Sequence, residues 1–138
     1  MIEEDYVSFE VAKLLKEKGF DAECDYLYVD GELVRARGGA CNWNDRETLF
    51  ADYKNECSAP TLQMVIKWIR KKGFHIFAPL EIDYDEDERG CKWYHDAAYY
   101  PEIIRISDGK AMYDDGSLYA EPEQAYEVAI RYYLENLI

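Results

Sequence analysis

Two ten-residue stretches, VAKLLKEKGF at 11–20 and VIKWIRKKGF at 65–74, constrain this chain more than any other feature in it. In each, apolar residues recur at helical spacing and the run closes on Lys-Gly-Phe. Val11, Leu14 and Leu15 share one face, with the stem of Lys18 covering its end. Leu62, Val65, Ile66 and Ile69 form the second stripe, widened by Trp68. Gly19 and Gly73 supply the left-handed residue that ends a helix, and Phe20 and Phe74 the apolar contact that accompanies such a stop. Each copy is followed by a strand signal. The repeat reads as two amphipathic helices with the same stop, each leading into a sheet, with a duplicated helix–strand unit as the less favoured alternative. Every matched position is a cap, a stripe or a solvated face, and the likeness fades beyond the Phe. It carries no chemistry, and two copies are too few for a solenoid.

Local signals place the remaining elements. Ser8 is placed to N-cap a helix over 8–18. In CDYLYVDGELVRA, Asp30-Gly31 suits the positive φ angles of a type I′ turn, which predicts a hairpin with strands at 24–29 and 32–36. Residues 37–57 are the least regular, with a short helix expected from Asn44 or Asp45 through Leu49, Phe50 and Tyr53. The second helix is expected to start near Ser58-Ala59-Pro60, with proline in its first turn. HIFAPLEI (75–82) reads as a strand that Pro79 makes an edge, bulged or broken. DYDEDERG then reads as an exposed acidic turn, and CKWYHDAAYY (91–100) as another strand. Ile103, Ile104 and Ile106 mark a further strand that pairs with 110–114. A last helix starts at Pro122, with a broad apolar face of Ala125, Tyr126, Ala129, Ile130, Tyr133, Leu134 and Leu137. This order predicts a single α+β domain over 1–138: a mainly antiparallel sheet of about four to six short strands against two or three helices.

Charge and composition exclude several classes of function. The formal charge of −13 repels phosphates and argues against direct nucleic-acid binding, while permitting a basic partner. No apolar run is long enough to span a bilayer, and MIEEDYVSFE lacks the apolar core of a signal peptide, so no membrane partner and a cytoplasmic location are expected. Cys24, Cys41, Cys57 and Cys91 contain no C-x-x-C pair, and reduced, structural cysteines are expected.

No catalytic, cofactor-binding or metal-binding motif emerges. Asp83, Asp85 and Asp87 have the spacing of a calcium loop's first ligands. Glu88 and Tyr94, however, stand where an EF-hand requires Gly and Glu. Cys91 and His95 on a strand lie about 13 Å apart, too far to share a metal or form a nucleophile–base pair. Phosphate-loop, dinucleotide-fold and serine-elbow glycine patterns are absent. Aromatic residues are the most distinctive feature, with thirteen tyrosines and three tryptophans. Tyr26 and Tyr28, Trp93 and Tyr94, and Tyr99 and Tyr100 lie on expected strands, so aromatics fall on both faces. One of those faces is expected to be less buried and open to a partner.

SAPTLQMVIKWIRKK (58–72), AYEVAIRYYLENLI (125–138) and EDYVSFEVAKLLKEKGFD near the start resemble a group of short uncharacterised proteins of Bacteroidetes phages, prophages and mobile elements. The similarity runs from the first helix to the last and rests on helix stripes and caps. It implies a bacterial or viral accessory protein and no particular reaction.

These features leave three functional expectations. The first is a protein-interaction module that uses an aromatic strand face, with an unidentified protein partner. The second is an acidic mimic of DNA that inhibits a host nucleic-acid or defence enzyme. The third is a small enzyme or ligand-binding domain, for which His75, His95 and Cys91 are the residues to inspect.

Overall fold

A computed structural model describes residues 2–45 and 56–138, with Tyr94 and His95 described by their backbone alone. The expected helix between Asn44 and Tyr53 lies largely outside the described residues. The fold is α+β. Its order is α1 (Phe9–Glu17), β1 (Tyr26–Val29), β2 (Glu32–Arg35), β3 (Glu56–Ser58), α2 (Leu62–Lys71), β4 (Phe74–Phe77), β5 (Leu80–Glu86), β6 (Lys92–Tyr99), β7 (Glu102–Arg105), β8 (Ala111–Tyr113) and α3 (Pro122–Asn136). Among the described residues all pairings are antiparallel, but they are divided among three small sheets: β2-β1-β3, β4-β7-β8 and β5-β6.

The helix ends match the sequence closely. Ser8 Oγ accepts the Val11 N–H at 3.2 Å. At the far end of α1, Phe20 N–H reaches the Leu15 carbonyl at 2.9 Å and Gly19 N–H that of Lys16 at 3.3 Å, with Gly19 at φ 86°. These are the paired bonds of a Schellman stop. Gly73, at φ 98°, repeats the turn by donating to Arg70 O at 3.0 Å. Downstream of the stop the two copies differ. Gly73 leads directly into β4, whereas Gly19 is followed by a connection of several residues before β1. The two Phe rings also pack on different neighbours: Phe20 meets Trp68 of α2 edge-on at 5.4 Å, and Phe74 meets Tyr133 of α3 at 5.3 Å. The stops thus tie one helix to the next.

The start of α2 departs from expectation. Pro60 lies before the helix, and Thr61 is the N-cap, accepting the Met64 N–H at 3.2 Å. Pro60 instead uses its carbonyl to accept the Val7 N–H at 3.1 Å, while Leu62 N–H reaches Asp5 O at 2.9 Å. The chain before α1 and the chain before α2 therefore lie side by side. For α3, Pro122 does occupy the first turn, and Gln124 Oε1 accepts the Glu121 N–H at 3.3 Å.

One core unites the three helices with two of the sheets. Val11, Ala12 and Leu15 of α1, Val65 and Ile69 of α2, and Ala129, Ile130, Tyr133 and Leu134 of α3 enclose Ile76 of β4 and Ile103 of β7. β1 joins from the other sheet through Tyr28. Burial of this apolar surface drives folding, at about 25 cal/mol per Å² removed from water. Among the described residues, none of β5 or β6 belongs to this core. That hairpin leaves the body at Ala78-Pro79, which separates it from β4, and returns at Tyr99, whose N–H and C=O pair with Tyr119 at 2.8 and 2.7 Å. No helix among the described residues is long and apolar enough to cross a membrane.

Candidate functional site: a two-faced β-arm

β5 continues through the first half of the stretch expected to be an acidic turn. Its residues alternate, Leu-Glu-Ile-Asp-Tyr-Asp-Glu, and the strand extends about 24 Å at ordinary strand rise. The turn itself is confined to Asp87–Gly90. Asp87 Oδ1 accepts the N–H groups of Arg89 and Cys91, both at 2.9 Å, and Gly90 takes a positive φ of 81°. Asp87 is therefore a turn-former. Asp83 and Asp85 sit on a strand, which corrects the expectation of a carboxylate loop. Among the described residues, no group of three or more His, Cys, Asp or Glu is placed to hold a metal ion.

The register gives the arm two unlike faces. Leu80 stands opposite Tyr99 and Ile82 opposite Ala97, so those four share one face with Tyr84. Glu81 opposite Ala98, Asp83 opposite Asp96, and Asp85 opposite Trp93 make the other. A bulge between Asp83 and Tyr84 shifts the register before the Tyr84–Tyr94 pair. The apolar face is open to solvent: Leu80 is 47% exposed, Ile82 38% and Tyr84 57%. On the acidic face Trp93 is 51% exposed.

Backbone direction can be traced from the root. Both polar backbone groups of Tyr99 go to Tyr119, so its partner Leu80 turns its own N–H and C=O away from β6. At the tip, Asp87 N–H points inward to Cys91 O at 3.0 Å. Alternation between these two fixed points leaves Leu80, Ile82, Tyr84 and Glu86 with outward-facing backbone groups. β5 pairs with β6 on one side and with no strand on the other among the described residues.

An open groove of about 510 Å³ lies against the arm's root, between Leu80, Glu81 and Ile82 on one side and Tyr100, Asp114 and Leu118 on the other. Negative charge is crowded there. Burial, then Glu102, Asp114 and Glu81, hold the Tyr100 phenol above its usual range. Burial and Asp114 likewise raise the carboxyl of Glu102. An incoming cation would relieve this repulsion.

The six aromatics expected to contribute to an interaction surface are dispersed over the fold. Tyr28 is buried in the body, donating its hydroxyl to Val7 O at 2.6 Å, so it is a core residue and not part of an accessible face. Tyr26 is half-buried against Tyr6, with ring centroids 4.6 Å apart. Trp93, Tyr94 and Tyr99 lie on β6, and Tyr100 lines the groove. The sequence reading missed Leu80, Ile82 and Tyr84. Their period-two alternation with acidic residues was the available signal, and the density of carboxylates obscured it.

The residues weighed for catalysis come from separate elements, with His95 on β6. His75 is on β4, its ring 5.2 Å from that of Phe77, while Cys91 is exposed at the arm's tip. Cys24 and Cys57 are buried, which pushes both thiols up to about 11 and keeps them protonated. All four cysteines are free thiols. No family model, curated protein or solved structure matches the chain.

Proposed function

We propose that the protein is a binding module whose contact element is the β5–β6 arm, and that it acts by holding another protein. The observation that carries this reading is the apolar face of Leu80, Ile82 and Tyr84 standing outside the core. A two-stranded hairpin is marginal in water by itself, and a row of exposed apolar side chains on such a hairpin marks a contact surface. Rigid aromatic and branched side chains on an extended arm bury much area at small entropic cost. The resemblance of the helix motifs to phage and mobile-element proteins makes bacterial host proteins the first partners to examine.

Site-specific photocrosslinking tests the proposal. A photoreactive residue at Tyr84 is expected to capture a discrete partner from bacterial lysate. The same residue at Leu33, exposed on β2, is expected to capture none. Equal labelling from both positions, or from neither, would overturn it.

A second reading has its own observation. Glu81, Asp83 and Asp85 form a row on one face at two-residue spacing, as a mimic of nucleic-acid charge requires. That reading expects DNA to compete with this protein for the partner, with affinity falling steeply as salt rises.

A further inference from the structure

Resting on the reading of the arm as the contact element, we infer that the free edge of β5 accepts a basic, extended segment of the partner as an added antiparallel strand. The edge supplies the backbone groups for it. Leu80, Ile82, Tyr84 and Glu86 face outward, and β5 has no strand on that side among the described residues. Strand addition draws its affinity from main-chain hydrogen bonds and its selectivity from alternate side chains.

Charge identifies the occupant. The stretch from Leu80 to Tyr99 holds Glu81, Asp83, Asp85, Glu86, Asp87, Glu88 and Asp96 against only Arg89 and Lys92 as fixed cations. A second copy is a poor occupant. Antiparallel pairing of β5 with itself, centred on Asp83, sets Glu81 opposite Asp85 and Asp83 opposite Asp83, and like charges directly opposed destabilise a sheet. Phosphate-bearing ligands meet the same repulsion. A segment with lysine or arginine at every second position meets the acidic face instead. Its intervening apolar residues then lie beside Ile82 and Tyr84. The carboxylates thus act as a filter: they prevent self-association and select a cationic strand.

The geometry fixes which amides of the partner matter. Residues opposite Ile82 and Tyr84 form hydrogen-bonded pairs with them, so their N–H groups point at β5, while those of the cationic residues point away. The probe is a capped, fluorescent peptide, Lys-Val-Lys-Val-Lys-Val-Lys, titrated against the full chain by anisotropy. Saturable binding is expected. N-methylation of the valines is expected to weaken it by about tenfold or more, and N-methylation of the inner lysines to leave it within about twofold. The double variant Asp83→Lys, Asp85→Lys is expected to lose this peptide and to bind the Glu-Val counterpart instead. Absence of saturable binding, equal effects of the two methylation patterns, or unchanged preference in the charge-reversed variant would each overturn the inference. A partner crosslinked at Tyr84 without peptide binding would sink the strand-addition mode and leave the contact role standing. Absence of any Tyr84 crosslink would sink the contact role itself.

Discussion

β1–β2 and β5–β6 are both antiparallel hairpins, and both have turns well suited to their strands. Asp30 and Gly31 take positive φ angles of 51° and 84°, and Asp87 ties its own turn through two side-chain hydrogen bonds. Their surroundings differ. β1 lies between β2 and β3 with Leu27 and Tyr28 both buried, while every residue of β5 is exposed. Local physics made two good hairpins, and tertiary burial incorporated only one into the core. A strand pair that is well formed yet left outside the core is where a binding role is best sought.

The contrast can be tested with matched substitutions. Ile76 and Ile82 stand six positions apart, on strands separated only by Ala78-Pro79. Ile76→Ala is expected to cost about 2–5 kcal/mol, because it opens a cavity in a packed core. Ile82→Ala is expected to change stability by less than about 0.5 kcal/mol. Urea unfolding of both variants measures the difference, and comparable losses would make the arm part of the core.

A tyrosine pair gives a smaller contrast. Tyr28→Phe removes the donor to Val7 O and leaves that buried carbonyl unsatisfied, at an expected cost of about 1–3 kcal/mol. Tyr84→Phe is expected to be neutral within about 0.5 kcal/mol, since the Tyr84 side chain is mostly in water. Thermal unfolding of the two variants side by side would show whether one hydroxyl is structural and the other dispensable.

The smallest effect is expected at the tip. Asp87→Ala removes two hydrogen bonds of about 0.5–1.5 kcal/mol each from the turn alone. Backbone amides near the turn should then exchange faster, while the global melting temperature stays within about a degree of the parent. A large shift in melting temperature would mean that arm and body unfold as one unit.

What could be read from the sequence depended on whether a signal was local. Ser8, Gly19, Gly73 and Pro122 were legible because a cap satisfies groups within one turn of chain. Asp30-Gly31 fixed its hairpin for the same reason. β3 was not legible. Glu56-Cys57-Ser58 has no strand pattern, and it is held by β1 and by hydrogen bonds to Trp43 and Asn44: Asn44 Oδ1 accepts the Ser58 N–H at 2.9 Å, and Ser58 Oγ accepts the Trp43 N–H at 3.0 Å. The division of the strands among three sheets was equally invisible, since pairing partners are chosen in space. Tyr28 and Tyr84 show the limit for a site. Both are tyrosines on hairpin strands, Tyr28 within the apolar run YLYV and Tyr84 between Asp83 and Asp85, and the packing around β1 makes one a core residue and the other a surface residue.

Ala78-Pro79 has a consequence for how such a protein changes over generations. Proline offers no backbone donor, and the ladder that begins at Leu80 shares no strand partner with β4. Substitutions that retune the arm are therefore spared the need for compensating changes among the helices. Under the proposed contact role, lineages descended from this chain can diverge in what the arm binds while inheriting the same scaffold, and sequence variation should concentrate between Leu80 and Tyr99.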